Sequence, residues 1–176
     1  MNYKTLIFCL SISAFLCNNE VQDSEFAQDG FFDLEEFVDQ QLDKELILPS
    51  VKRIINLDGK VESSEIENFN KKENLVYLEK FNINQPRWYD KYTVEKTGNQ
   101  LIYTARDSSL RVERFELKQN DDEVVSIDIK YKTGTFISST KKNIHWEPGN
   151  ILRIDNQNKS LWTEPSRLQI EWQFTQ

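Results

Sequence analysis

Two carboxylates flanked by aromatic residues are the side chains of this sequence best suited to catalysis. Asp90 follows Trp88 and Tyr89, and Glu147 follows Trp146. An aromatic neighbour can stack on a sugar ring and raise the pKa of a carboxyl group, so the two acids form the natural pair of a glycosidase-like hydrolase. Both also lie close to prolines, where such residues usually form turns. We therefore keep a carboxylate hydrolase as the minor alternative and expect a protein that is not an enzyme.

His145 is the only histidine, which limits other kinds of catalysis. A Ser-His-Asp mechanism would need it, yet the sequence has no Gly-x-Ser-x-Gly turn. A single histidine also excludes an HExxH zinc site. In the alternating stretch 143–146 we expect His145 to face solvent. Residues 155–158 are similar to a calcium loop but lack its glycine and glutamate, so we expect a turn there, with no metal and no cofactor.

Aromatic residues near turns are the candidates for a surface that binds a ligand or a partner. Such residues can line an apolar pocket or form an exposed patch. The alternative is packing in the core or at its edge, which is their more common role. The candidates are Trp88, Tyr89, Tyr92, Trp146 and Trp162.

The first residues have the pattern of an export signal. Lys4 precedes an uncharged apolar run of 11 residues, 6–16. A membrane-spanning helix needs about 20 such residues, whereas the apolar part of a secretory signal needs about 7–15. Cys9 lies within this run, so the mature chain keeps at most Cys17, which excludes an internal disulfide and a thiolate zinc site.

Cys17 ends the apolar run, and polar residues follow at once. The segment resembles the lipobox of bacterial lipoproteins, in which the cysteine becomes the first residue and is acylated. Ala14 and Leu16 stand where that motif usually has leucine and a small residue. The resemblance implies lipid attachment at Cys17, and an ordinary signal cleaved near Ser13 or Ala14 is the alternative.

Length and charge indicate one acidic domain. The chain has 176 residues and a net charge of −7, and without Lys4 the remainder carries 21 basic and 29 acidic groups. Such a surface repels nucleic acid and anionic lipid headgroups, so we expect no nucleic-acid partner. We predict a signal peptide over residues 1–16, a lipidated cysteine and flexible tether over 17–30, and a single globular domain over 31–176.

Two helices are predicted early in the domain. The first covers residues 34–45, with Asp33 as its N-cap, Glu36 completing a capping box, and Phe32 packed on Phe37 as a hydrophobic staple. The second covers residues 70–81. Between them, a strand over residues 51–57 is followed by an Asp58-Gly59 turn and a returning strand.

From Trp88 onward, apolar residues alternate with polar ones. About seven short strands follow, with a bulge near Glu113 and Arg114. Separate strands are predicted over residues 136–139 and 144–146. This pattern indicates an α+β fold, in which a curved antiparallel meander approaches a half-barrel and the two N-terminal helices pack on its dry face.

The chain also resembles a family of small exported lipoproteins of Bacteroidota that has no assigned activity. The marks lie between Phe32 and the C-terminus, and the most specific one begins at Asn82, where the family tends to have an acid. The resemblance implies an envelope address and a similar fold, with no catalytic residue to carry over. The marks are Phe32-Asp33-Leu34 with Phe37 and Gln40, Leu57-Asp58-Gly59, residues 82–92, and Trp146-Glu147-Pro148-Gly149 before Ile154.

Together these observations lead to an expected function. We expect a non-enzymatic lipoprotein of the bacterial envelope, attached to the outer membrane by its lipid and facing the periplasm or the cell surface. It would act as a binding or accessory module for an envelope protein or a small hydrophobic ligand. The alternatives are a structural component of an envelope assembly and the carboxylate hydrolase.

Overall fold

A computed structural model describes residues 31–44, 47–121 and 123–174 of the chain. The predicted signal peptide, Cys17 and the tether lie outside these residues. The helices are α1 (Leu34–Lys44), α2 (Lys71–Glu79) and a 3-10 helix (Pro86–Lys91). The strands are β1 (Ile47–Leu57), β2 (Lys60–Asn70), β3 (Tyr92–Thr97), β4 (Gln100–Ala105), β5 (Val112–Asn120), β6 (Glu123–Gly134), β7 (Ser138–Glu147), β8 (Ile151–Ser160) and β9 (Ser166–Phe174).

The strands form a single antiparallel sheet of nine strands, in the order β2-β1-β9-β8-β7-β6-β5-β4-β3. Its ends, β2 and β3, do not pair with each other, so the sheet is open. The α+β class is confirmed, and seven strands follow Trp88 as predicted. The stretches predicted as two strands over 136–139 and 144–146 are one strand, β7.

Local signals placed the Asp58-Gly59 turn and the bulge correctly. Asp58 and Gly59 have φ angles of 49° and 91°, as a two-residue hairpin turn requires. The pairing of β5 with β6 shifts register between Val112 and Arg114, where the bulge was predicted. The pairing of β1 with β9 joins residues more than a hundred positions apart in sequence and has no local signal.

One face of the sheet, the inner face, is apolar and the other is charged. Directly paired Phe115, Ile129 and Ile144 lie on the inner face and are at most 2% exposed. On the outer face, Arg114 forms an ion pair with Glu116, two residues further along β5. The predicted division into a dry face and a solvated face is therefore confirmed.

The two helices cover the middle of the inner face. From α1, the Phe37 ring packs 5.4 Å from the ring of Trp146. Following α2, the Phe81 ring meets Tyr131 edge-on at 5.1 Å. Trp146 is only 1% exposed as a result, so the helices shield β6 and β7.

The first helix begins largely as its sequence predicts. The Asp33 carboxylate accepts hydrogen bonds from the backbone N–H groups of Glu35 and Glu36, both at 3.1 Å. The Phe32 and Phe37 rings lie 5.5 Å apart, which confirms the hydrophobic staple. The Glu36 carboxylate accepts a hydrogen bond from Gln40, one turn along the helix, at 3.4 Å.

Asp33 has a second role that links distant parts of the chain. Its two carboxylate oxygens accept hydrogen bonds from the side-chain amides of Asn82 at 3.0 Å and Asn84 at 2.9 Å. The Asn82 oxygen accepts in turn from the backbone N–H of Leu34, at 3.3 Å, and of Asn84, at 3.1 Å. We call this group the Asp33–Asn82–Asn84 clamp, and it fastens the start of α1 to the segment that follows α2.

The clamp stabilises the ionised form of Asp33. Burial raises the pKa of this carboxyl group, but the hydrogen bonds from Asn84, Asn82 and the backbone of α1 outweigh burial, and the pKa lies below its usual value. Asn82 itself is only 7% exposed. Loss of any member would therefore leave buried polar groups without partners.

We predict that Asn82→Ala lowers the free energy of unfolding by about 2–3 kcal/mol, because it leaves unpaired the buried N–H of Leu34, the partly buried N–H of Asn84 and part of the Asp33 carboxylate. Urea denaturation followed by circular dichroism measures the change. Asn99→Ala, at an exposed turn, is the matched control and should change stability by less than about 0.5 kcal/mol. Equal effects of the two variants would contradict this role of the clamp.

Candidate functional site

The aromatic candidates do not form one surface. Trp146 and Tyr92 are 1% and 3% exposed and belong to the core, so both must be removed from the predicted surface. They are buried because their side chains point to the inner face, although they lie near turns in sequence. Trp88 and Tyr89 are half-buried beside the core, and only Trp162, at 78%, is well exposed.

In part of the inner face, the cover ends between β7 and β8, although Leu152 on β8 is still fully buried. Ile144 on β7 is 2% exposed. Its direct partner Ile154 on β8 is half-buried, and so are the next two partners in the row, Ile170 on β9 and Ile55 on β1. Four directly paired isoleucines on neighbouring strands therefore form one row across the sheet, which is buried under the helices at Ile144 and partly exposed to solvent beyond it.

A second row beside this one is also open. It consists of Asn156 on β8, Leu168 on β9 and Leu57 on β1, which pair directly in that order, and Leu57 is 50% exposed. We call the two rows the open ledge. Its members are Ile55, Leu57, Ile154, Asn156, Leu168 and Ile170. Three strand positions at about 4.8 Å spacing make it about 10 Å wide, with five apolar side chains and one amide.

Two buried polar atoms at the ledge have no hydrogen-bond partner among the described residues. They are Nε of Arg53 and Oδ1 of Asn156. Arg53 lies two residues before Ile55 on the same strand, so both side chains point to the inner face. A buried polar atom without a partner costs about 1–3 kcal/mol, and such atoms in native proteins call for an explanation.

The ledge is bordered by positive charge. Lys142 pairs directly with Asn156 across β7 and β8, and its Nζ donates to the Tyr77 hydroxyl at 2.6 Å. Burial raises the pKa of Tyr77, but hydrogen bonds and charge from Lys142 and Lys80 outweigh it and hold the pKa below its usual value. Lys142 and Arg53 thus lie on two sides of an apolar floor, an arrangement suited to an amphipathic anion.

A separate cleft of about 620 Å³ lies near the end of α1. Its lining includes Gln40, Gln41 and Lys44 of α1 and the turn formed by Pro148 and Gly149. Among the described residues, Glu123 is the only carboxylate in this lining.

His145 lies on the outer face, half-exposed between two carboxylates. Its Nδ1 is 2.7 Å from Asp128 and its Nε2 is 3.1 Å from Glu147. Burial lowers the pKa of the imidazole, but the hydrogen bonds and charges of both acids outweigh burial and raise it above its usual value. Because both ring nitrogens are engaged, the geometry is that of an ion-paired residue, and the expected solvent-side position is confirmed.

The proposed acid pair of a hydrolase is not brought together. Asp90, in the 3-10 helix before β3, forms an ion pair with Lys91 at 3.2 Å. Glu147 ends β7 and binds His145, and three strands lie between β7 and β3. Four strand spacings of about 4.8 Å amount to about 19 Å along the sheet, beyond the separation of about 5–10 Å that glycosidases use.

The segment with a calcium-loop composition is part of a strand. Residues 155–158 lie within β8, which corrects the predicted turn, and Asp155 binds the guanidinium of Arg167. The segment extends because both neighbouring strands pair with it throughout. In the described part of the chain, no group of three or more His, Cys, Asp or Glu residues could hold a metal ion.

Comparison with known proteins finds no matching family model, no similar curated protein and no similar solved structure. The resemblance to exported lipoproteins therefore stays a prediction. Among the described residues, no helix is long and apolar enough to cross a membrane.

We predict that His145→Gln destabilises the protein only at mildly acidic pH. Since folding raises the pKa of His145, its contribution is fully present below the unfolded value of about 6.5 and disappears as the pH rises through the folded value. For a partly exposed pair we expect about 0.5–1 kcal/mol near pH 5.5 and no difference near pH 9.

Urea denaturation at several pH values measures this difference. Asn143→Gln, an exposed position two residues earlier on the same strand, is the control and should show no pH dependence of its effect. A loss of stability for His145→Gln that is the same at all pH values would show that the imidazole acts through packing alone.

Proposed function

We propose that this protein is a non-enzymatic binding module of the bacterial envelope, held at the membrane by a lipid on Cys17, and that its open ledge binds an amphipathic ligand. One observation carries the proposal. A continuous apolar row leaves the cover of the helices between β7 and β8, next to a buried donor on Arg53 and a buried acceptor on Asn156 that lack partners in the described chain.

The chemistry of the ledge defines the class of ligand. The apolar floor matches an alkyl chain, and the guanidinium of Arg53 and the ammonium of Lys142 match a carboxylate or phosphate head. An alkyl chain that buried about ten methylenes, at about 0.8 kcal/mol each, would contribute about 8 kcal/mol. The loss of translational and rotational freedom on binding costs about 4–15 kcal/mol, so the net affinity is small. Weak, reversible binding of a fatty acid or a lipid is the expected result.

A structural component of an envelope assembly is the second candidate. The ledge is open to solvent and not enclosed, which suits a protein surface as well as a small ligand. The unpaired polar atoms favour the ligand, because a small polar head can reach Arg53 and Asn156 more easily than a flat protein surface can. Ligand binding is therefore the better-supported function.

The anchor is supported by the pattern of the first 17 residues. Phe31, the first described residue, lies 14 positions after Cys17, and at about 3.3–3.6 Å per residue this stretch reaches at most about 50 Å. Such a length would keep the domain close to the bilayer.

Intact mass spectrometry of the membrane-extracted protein tests the anchor. We expect a chain that begins at Cys17 and carries diacylglycerol and a further acyl group, and loss of this species in Cys17→Ser. A native chain cut at another position and found free in the periplasm would contradict the anchor and would indicate a diffusible carrier.

Fluorescence titration with a fluorescent fatty acid tests the ledge. We expect saturable binding, weakened about tenfold or more by Ile55→Gln, because a polar side chain would interrupt the apolar floor. The matched control is Ile54→Gln. Ile54 is the neighbouring half-buried isoleucine and faces the outer side, where it pairs with Glu171.

Arg53→Gln tests the recognition of the head group in the same assay. It should weaken binding of the fatty acid and leave binding of the matching fatty alcohol unchanged, because only the acid uses the guanidinium. The ledge is the wrong site if no saturable binding occurs, or if Ile54→Gln and Ile55→Gln have equal effects.

A further inference from the structure

The three most exposed large apolar side chains of the described residues, Phe136, Trp162 and Leu161, lie at the tips of two neighbouring hairpin connections, and Ile137 lies beside them. Phe136 is 95% exposed and Ile137 47%, both in the turn between β6 and β7. Leu161 is 65% exposed and Trp162 78%, both in the loop between β8 and β9. We call these four residues the apolar tip.

The backbone of the apolar tip is ordered by hydrogen bonds. The N–H of Leu161 donates to the carbonyl of Ile137 at 3.0 Å, which joins the two connections. Within the first turn, the N–H of Thr135 donates to the carbonyl of Ser138 at 2.7 Å. The exposed side chains are therefore held outward by a defined backbone and do not belong to a frayed loop.

Positive charge lies beside the β6–β7 turn, although the whole chain is acidic and Glu164 lies in the β8–β9 loop. Between Ile129 and Trp146, the β6–β7 hairpin has four lysines and no Asp or Glu, in a chain of net charge −7. A cleft of about 380 Å³ beside the turn is lined by Arg111, Lys132 and Lys141 and by no carboxylate. Glu113, outside this lining, binds Lys132 at 2.5 Å, so Arg111 and Lys141 dominate the charge of the cleft.

The first described residue, Phe31, lies at the same end of the sheet. The ring of Phe31 lies 4.8 Å from that of Tyr89 and 6.0 Å from that of Tyr92. Tyr92 begins β3, and because all strands alternate in direction, the start of β3 and the β6–β7 turn lie at one end. The predicted tether, residues 17–30, would therefore join the domain at the end of the sheet that bears the tip.

We propose that the apolar tip inserts into the interfacial layer of a phospholipid membrane and that the basic cleft beside it binds anionic headgroups. Tryptophan favours this layer, phenylalanine and leucine occur on membrane-facing surfaces at the same depth, and each nearby lysine or arginine adds about 1 kcal/mol of attraction to an anionic surface. Four side chains on two protruding tips offer too little area for a stable protein interface, which buries about 1,200–2,000 Å². A bilayer needs no such complementary surface.

This contact would also orient the ledge. Leu57 and Leu168 pair with each other next to the β1–β2 turn and the β8–β9 loop, at the end of the sheet where the tip lies. The open end of the ledge would then face the bilayer, and an acyl chain could pass between the two without crossing water. This last step rests on the proposed function, whereas insertion of the tip does not.

Vesicle co-sedimentation tests the tip separately from the anchor. The Cys17→Ser chain, which carries no lipid, is compared with the same chain bearing Phe136→Ser and Trp162→Ser, so that residues 1–30 contribute equally. Vesicles are phosphatidylcholine alone or mixed with phosphatidylglycerol. We expect binding to the mixed vesicles, weakened about tenfold or more by the two tip substitutions.

The matched control carries Ile47→Ser and Val125→Ser. These positions are 55% and 50% exposed and lie at the opposite end of the sheet, so binding should not change. In the native acylated protein, brominated phospholipids should quench a component of the tryptophan fluorescence that is missing in Trp162→Phe.

Three results would overturn the proposal: equal binding of the parent and the tip variant, no binding to either vesicle, or a soluble dimer that forms through the tip. The two proposals can fail independently. If the native chain is not acylated at Cys17, the proposed lipid anchor is wrong and the vesicle assay is still valid. If the tip variant binds like its parent, the proposed insertion of the tip is wrong and the lipid anchor is unaffected.

Discussion

The packing of the two helices on the inner face depends on the carboxylate of Asp33. It caps α1 and also accepts hydrogen bonds from Asn82 and Asn84, 49 and 51 residues later in the sequence. These bonds fix the start of α1 against the segment between α2 and β3, so that Phe37 meets Trp146 and Phe81 meets Tyr131. The outer face of the sheet uses a different device, a set of cross-strand ion pairs such as Arg153 with Glu171.

Simple geometry explains why the cover is incomplete. The helices have 11 and 9 residues, so at about 1.5 Å per residue they are about 16 and 14 Å long. Nine strands with about 4.8 Å between neighbours extend about 38 Å. Two such helices cannot shield the whole inner face. Leu152 on β8 and Val51 on β1 are still fully buried. In the isoleucine row, however, Ile154, Ile170 and Ile55 are only half-buried. The open ledge is thus a direct result of a wide sheet with a small cover.

Much of the fold could be predicted from the sequence because its signals are local. The staple of Phe32 on Phe37, the Asp58-Gly59 turn and the alternation of β6 and β9 each depend on residues within a few positions of one another. The pairing of β1 with β9 and the clamp from Asp33 to Asn82 join distant residues, and single-sequence patterns contain no record of such contacts.

The candidate site was harder to predict than the fold. Alternation shows which side chains point to the inner face, but not which of them the helices cover. Trp146 and Ile170 therefore look alike in sequence, whereas in the structure Trp146 is buried and Ile170 is half-buried. One signal was available in β8, where Asn156 and Asn158 replace apolar residues at inward positions. Polar residues at such positions are typical of a face that is not fully covered.

The central claim is that ligands bind to the inner face where the helices end. Backbone amide shifts in two-dimensional nuclear magnetic resonance, followed during titration with a medium-chain fatty acid, test it most directly. The account predicts saturable shifts in residues 53–57, 154–156 and 168–170, and little change in the amides of Phe115 and Ile129 beneath the helices. Shifts confined to the outer face around His145, or no saturable shift at all, would contradict it.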